Sequence, residues 1–150
     1  MREILFRGKR KRDGKWVYGA YLHLNAGDDY ICDGAVWIGT LTPCKEEVIP
    51  ETVGQFTGLT DKDGKKIFEG DILTPLDDEI DFIVEFNNGC FNGVSYAIKG
   101  AMMEYGWDEC AGGYGVVECE PLDSYHPEKY HEVIGNIHDN PELLEANHAE

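Results

Sequence analysis

The chain has 150 residues, enough for one domain or two very small ones, and its 42% hydrophobic and 11% aromatic content excludes a disordered polypeptide. No run approaches the ~20 apolar residues that cross a bilayer, and no apolar stretch opens the chain, so the expectation is a cytoplasmic protein with no membrane partner. The net charge of −16 is unevenly placed: residues 1–15 carry seven basic and two acidic side chains (+5), and the other 135 carry 6 and 27 (−21), a body that repels nucleic acid over most of its surface.

Residues 2–9 alternate around Ile4 and Phe6 and predict a strand. Asp13-Gly14 is a hairpin signal. Residues 15–24 return with Trp16, Tyr18, Ala20 and Leu22 on one face and Val17, Gly19 and Tyr21 on the other. Both faces are partly apolar, which suits a small closed barrel more than an open solvated sheet. Residues 25–29 form a polar loop and 30–32 a short strand. Asp33-Gly34 is a further turn signal, residues 35–41 are a strand broken by Pro43, and residues 46–50 are a short strand ended by Pro50.

The plan then repeats. Phe6-x-Gly8 followed by Asp13-Gly14-Lys15-x-Val17-Tyr18 recurs as Phe56-x-Gly58 followed by Asp63-Gly64-Lys65-x-Ile67-Phe68. Gly64 supplies the positive φ that a two-residue hairpin turn requires. After an acidic loop at 75–81, residues 82–86 predict a strand, Asn87-Asn88-Gly89 a turn, and Cys90-Phe91 the return. Residues 92–125 are glycine-rich, lack a counterpart of equal length in the first copy and predict an insertion, where binding often sits. Glu132-Val133-Ile134-Gly135 echoes Glu47-Val48-Ile49-Pro50. Asn140-Pro141-Glu142 then opens a short C-terminal helix, with Asn140 as N-cap. The predicted organisation is all-β: barrel modules over residues 1–50 and 51–139, an insertion at about 90–125, and a helical tail over 140–150.

Catalytic and metal signals are weak. Asp61-x-Asp63-Gly64 opens like a calcium loop, but the fifth position is Lys65 and the twelfth Ile72, where a bidentate Glu belongs. His126, His131 and His138, taken with Cys119, match no tight zinc spacing, so no metal or cofactor is expected. Ser95 and Ser124 sit in no nucleophile elbow. Asp77-Asp78-Glu79 and Glu118-x-Glu120 read as a solvated acidic surface, and Gly112-Gly113-Tyr114-Gly115 as a flexible loop without phosphate-binding spacing. Cys32, Cys44, Cys90, Cys110 and Cys119 form no C-x-x-C pair and are expected as reduced thiols.

Five blocks occur in family order: Met1-Arg2-Glu3-Ile4-Leu5-Phe6-Arg7-Gly8, Trp16-Val17-Tyr18-Gly19, Val48-Ile49-Pro50-Glu51-Thr52-Val53-Gly54-Gln55-Phe56-Thr57-Gly58-Leu59, Ile67-Phe68-Glu69-Gly70-Asp71-Ile72 and Val133-Ile134-Gly135-Asn136-Ile137. Together they resemble the YopX family of phage and prophage proteins. The resemblance implies two SH3-like barrels, a bacterial host, and no known activity beyond a suggested link to DNA packaging. It carries no catalytic residues.

The candidate binding residues are Arg7, Lys9, Arg10, Lys11, Arg12, Lys15, Trp16 and Tyr18, where cations that track phosphates lie beside aromatics that stack on bases. Three readings follow. The first is a non-enzymatic accessory protein acting by protein–protein contact with a phage or host protein. The second is a nucleic-acid-binding accessory protein that uses the basic hairpin, and the third a metal-dependent enzyme. The +5 segment on a −21 body also suggests a homo-oligomer, with Asp77-Asp78-Glu79 as one acceptor.

Overall fold

The computed structural model describes residues 2–24, 27–32, 45–77, 81–98 and 114–143. The turn expected at Asp33-Gly34, the strand at 35–41, Pro43, the Gly112-Gly113 pair, and Asp78 and Glu79 lie outside the described residues. The strands are β1 (Phe6–Lys9), β2 (Trp16–His23), β3 (Asp29–Cys32), β4 (Lys45–Glu47), β5 (Gly54–Thr60), β6 (Lys66–Phe68), β7 (Asp71–Pro75), β8 (Phe82–Asn87), β9 (Cys90–Ile98), β10 (Tyr114–Pro121) and β11 (His131–Asn136). Among the described residues, helical structure comprises single turns at Pro50–Thr52, Leu122–Tyr125 and Pro127–Tyr130 and the C-terminal helix over residues 141–143.

Two compact units divide between Gly58 and Leu59 rather than at 50/51. The cause is β5, whose Gly54 and Gln55 pair with Arg7 and Phe6 of β1 and so belong to the first unit. That unit orders its strands β4-β3-β2-β1-β5, and the second has β10-β9-β8-β7-β11. Both orders are antiparallel and open among the described residues, where closed barrels were expected.

The first core packs Ile31 and Val48 against β1. Gly8 packs closely there, since a Cβ would lie 3.1–3.3 Å from the Val48 side chain. Its counterpart in the repeat, Gly58, instead has φ +88° with open space around it. The second core clusters Ile67, Leu73, Phe82, Val84, Leu122 and Val133, with Leu59, Phe91 and Tyr125 packed on its margin. Each such side chain contributes ~1.5–3 kcal/mol on burial.

Three of the hairpins differ in their loops. In β8–β9 the loop is Asn88-Gly89, both at positive φ (51° and 81°), as a two-residue type I′ turn needs. The Asp63-Gly64 loop holds three residues, because Asp61 N–H donates to Lys65 C=O at 2.8 Å. The Asp13-Gly14 loop holds four, closed by Arg10 N–H to Lys15 C=O at 2.9 Å. Gly14 and Gly64 both take left-handed φ, +69° and +80°, but neither loop is the two-residue turn that Asp-Gly suggests.

Each loop also leans on a later strand of its own unit. Lys11 N–H donates to Glu47 C=O at 3.0 Å, and Lys62 N–H to His131 C=O at 3.0 Å. The buried Asp61 secures the second contact by accepting from Asp63 and Lys65 at 2.9 Å each and from Val133 at 3.1 Å. Burial pushes the Asp61 carboxyl up, but these three amides outweigh it and hold the group below the usual carboxylate range.

Candidate interaction surface

Strand alternation splits the basic hairpin between two faces. The register Arg7↔Tyr18 and Lys9↔Trp16 places these four residues on one face of the first sheet. Arg7 is 6% exposed, and its guanidinium lies 4.6 Å from the Trp16 ring centre, with Lys9 Nζ at 5.5 Å. On the same face Tyr30 carries Lys45 Nζ at 4.6 Å. These are cation–π contacts, each contributing ~0.5–1 kcal/mol or more.

Arg10, Lys11 and Arg12 lie at the tip and meet carboxylates of their own unit. Arg10 makes a two-pronged bond to Asp13 at 2.9 and 2.6 Å and reaches Glu46 at 3.5 Å. Lys11 Nζ meets Glu47 at 2.7 Å, and Arg12 meets Glu46 at 2.8 Å. Three cations thus face three carboxylates, Asp13, Glu46 and Glu47. Their proximity raises Arg10 and Lys11 above their usual pKa values and lowers Asp13. Lys15 contributes its amide to Asp13 at 3.1 Å and is exposed. The acidic partners come from β4 and from the turn.

Beyond Gly19, β2 is exposed on both faces, Ala20 through His23 alike. The exposed side chains include Tyr18 (46%), Leu22 (39%) and Leu24 (36%) on the even side and Tyr21 (37%) on the odd side. Ile4, 70% exposed, precedes β1, whose Phe6 ring lies 5.4 Å from Tyr21. This apolar arm is anchored at its base. Asp29 is buried and accepts from Tyr21 Oη at 2.7 Å, with His23 Nδ1 at 2.6 Å from the same oxygen. The His23 contact first, and Tyr21 second, hold Asp29 below the carboxylate range, while Asp29 raises the Tyr21 phenol. Of the arm's residues, only Tyr18 stood among the sequence candidates. The signal for the others was present, since both faces of residues 15–24 are partly apolar, but it reads equally as burial.

The family-like blocks of the second unit hold tight turns. Asp71 is buried and accepts the Phe68 amide at 2.8 Å around Gly70, whose φ is +89°. Asn136 accepts from His138 and Asp139 amides at 3.0 and 2.9 Å, and its own amide donates to Asn140 Oδ1 at 3.3 Å. The Asn140 side chain therefore serves the turn after β11, not only the helix that follows. A Cβ on Gly135 would collide with that same Asn140 side chain.

His126 is exposed at a left-handed φ of 49°, His131 is buried, and His138 lies near Gly70. Among the described residues they join no group of three metal-ligating side chains. Ser95 Oγ donates to Asp81 C=O at 3.3 Å and Ser124 Oγ to Pro121 C=O at 2.6 Å. Cys32, Cys90 and Cys119 are free thiols. No helix among the described residues is long and apolar enough to cross a membrane.

No curated protein matches this sequence. Among solved structures, the crystal structure of protein EF1440 from Enterococcus faecalis is similar at 20% identity and a TM-score of 0.44, covering 96% of this chain and 99% of that one. The family profile described as YopX protein matches residues 5–145. Spanning nearly the whole chain, that match makes this protein a member of the YopX family.

Proposed function

We propose that the protein is a non-enzymatic accessory factor of a phage or prophage that works in the bacterial cytoplasm by binding another protein through the apolar arm of β2. The observation that carries this reading is the exposure of Ala20 through Leu24 on both strand faces, with Tyr21, Leu22 and Leu24 among them. Exposed apolar surface of this kind marks protein contacts. The internal neutralisation of Arg10, Lys11 and Arg12 favours an apolar contact over a charge-driven one.

The reading includes two SH3-like modules descended from a duplication. Its support is the shared docking of a hairpin loop on a later strand, Lys11 on Glu47 and Lys62 on His131. A second reading, nucleic-acid binding, is favoured by the face that joins Arg7, Lys9 and Lys45 to Trp16 and Tyr30.

The test is affinity capture from phage-carrying bacteria with the wild type and with Leu22→Asp plus Leu24→Asp. Because both side chains are exposed, the variant should fold normally. A protein retained by the wild type and lost from the variant supports the reading. Equal retention by both would sink it. Capture of nucleic acid that is lost at high salt would transfer the function to the second reading.

A further inference from the structure

His131 opens β11 in the second unit and is only 7% exposed. Its Nδ1 is buried with no hydrogen-bond partner. The ring lies 5.0 Å from Phe82 and 5.8 Å from Tyr125, which stack on each other at 4.7 Å. Tyr125 belongs to the strap Leu122–Tyr130, two helical turns that cross from β10 to β11. Leu122 and Pro127 pin the strap, both fully buried. Its backbone bonds are mostly local, as in His126 N–H to Asp123 C=O at 3.2 Å and Lys129 N–H to His126 C=O at 2.9 Å. By contrast, β7 and β8 are held by ladders within the sheet.

We propose that His131 is a proton-operated latch, whose protonation releases the strap Leu122–Tyr130 from the second sheet. A neutral imidazole leaves only a bare lone pair at Nδ1. Protonation places a charge and an N–H donor among aromatic rings, at a far larger desolvation cost. Among the described residues, the groups facing the ring are few. Asp77, after β7, is the charge that favours the imidazolium, though burial dominates and holds the His131 pKa below its ordinary value. Tyr125 faces it from the strap. Lys62 reaches only the His131 carbonyl, and its ammonium turns to Asp63 at 3.1 Å and Glu132 at 3.7 Å. Water is reached most readily by lifting Tyr125, because the strap has no ladder to the sheet, and its backbone tie to the segment after β7, Leu76 N–H to Tyr130 C=O at 2.9 Å, lies at its far end.

With an ordinary imidazole pKa of ~6.5 in the released form, release at pH 5 is favoured by up to about 30-fold over neutral pH. Amide hydrogen exchange, corrected for intrinsic rates, tests this on the full chain. Protection across residues 122–130 should fall by up to that factor between pH 7.5 and 5, while residues 82–95 keep theirs. His131→Phe retains the ring packing and should abolish the pH dependence. The same loss in that variant, or equal loss in strap and sheet, overturns the proposal. The His131 Cε1 proton, followed by NMR in the wild type, is a readout independent of how the variant folds. A midpoint below 6.5 is expected, moving lower in Asp77→Asn, and a midpoint at or above 6.5 overturns the latch.

Discussion

Asp61 and Val133 stand 72 residues apart, yet the buried Asp61 carboxylate accepts the Val133 amide at 3.1 Å while also holding two amides of its own loop. Hydrogen bonds to a charged acceptor contribute ~1.5–3 kcal/mol each, and orphaned buried donors add a desolvation penalty. Asp61→Ala should therefore destabilise the second unit by about 2–4 kcal/mol in urea unfolding. The folded pKa of Asp61 is depressed, so its stabilisation is present above the unfolded value near 3.8 and is lost as pH falls through the folded value. Asp61→Asn should flatten that acid limb. An unchanged acid limb would count against the assignment.

Gly93 should tolerate no side chain. A Cβ there would sit 2.8–2.9 Å from the rings of Phe82 and Tyr125, which are stacked and cannot both retreat. Overpacking of this kind costs ~1–3 kcal/mol. Gly93→Ala should lower the melting temperature, whereas Gly89→Ala should act through backbone strain alone, because its site at φ +81° has open space.

The hairpin tip should gain nucleic-acid affinity when its acids are removed. Glu46→Gln with Glu47→Gln takes the six-charge cluster from 0 to +2. Retention of single- or double-stranded DNA should rise, with a plot of log affinity against log salt steeper by about 2 if both freed cations meet phosphates. Identical retention by variant and wild type would show that Glu46 and Glu47 do not mask the tip.

Acid should loosen the apolar arm. Asp29 has a lowered pKa through His23 and Tyr21, so its contribution holds above the unfolded value near 3.8 and disappears as pH falls through the folded one. Asp29→Asn should remove that dependence and also bring the raised Tyr21 phenol titration down, which ultraviolet absorbance at alkaline pH would detect.

The sequence exposes these features unevenly. Asn88-Gly89 is legible because both residues of a type I′ turn leave a local mark. The strand at Phe82 is legible from its apolar run. Glu46 and Glu47 are not legible as partners of the tip, since that depends on β4 pairing with β3 across a long connection. Asp61 reads as part of a turn, which it is, but its bond to Val133 has no local signature. The apolar face of Trp16, Tyr18 and Leu22 misleads most. Alternation shows which residues share a face and does not say whether anything covers it.

The order of β7 and β11 in the second sheet has a consequence during synthesis. β7 needs β11 to cover its outer edge, and β11 ends at Asn136, 61 residues after β7 ends at Pro75. At ~5–20 residues per second, the ribosome takes roughly 3–12 s to cross that interval. Throughout it β7 presents unpaired backbone groups beside the apolar side chains of Ile72 and Leu73, a combination that invites pairing with foreign strands. The nascent chain is thus most vulnerable between the completion of β7 and the emergence of residues 131–136, and the bare edge of β7 is where a chaperone would find it.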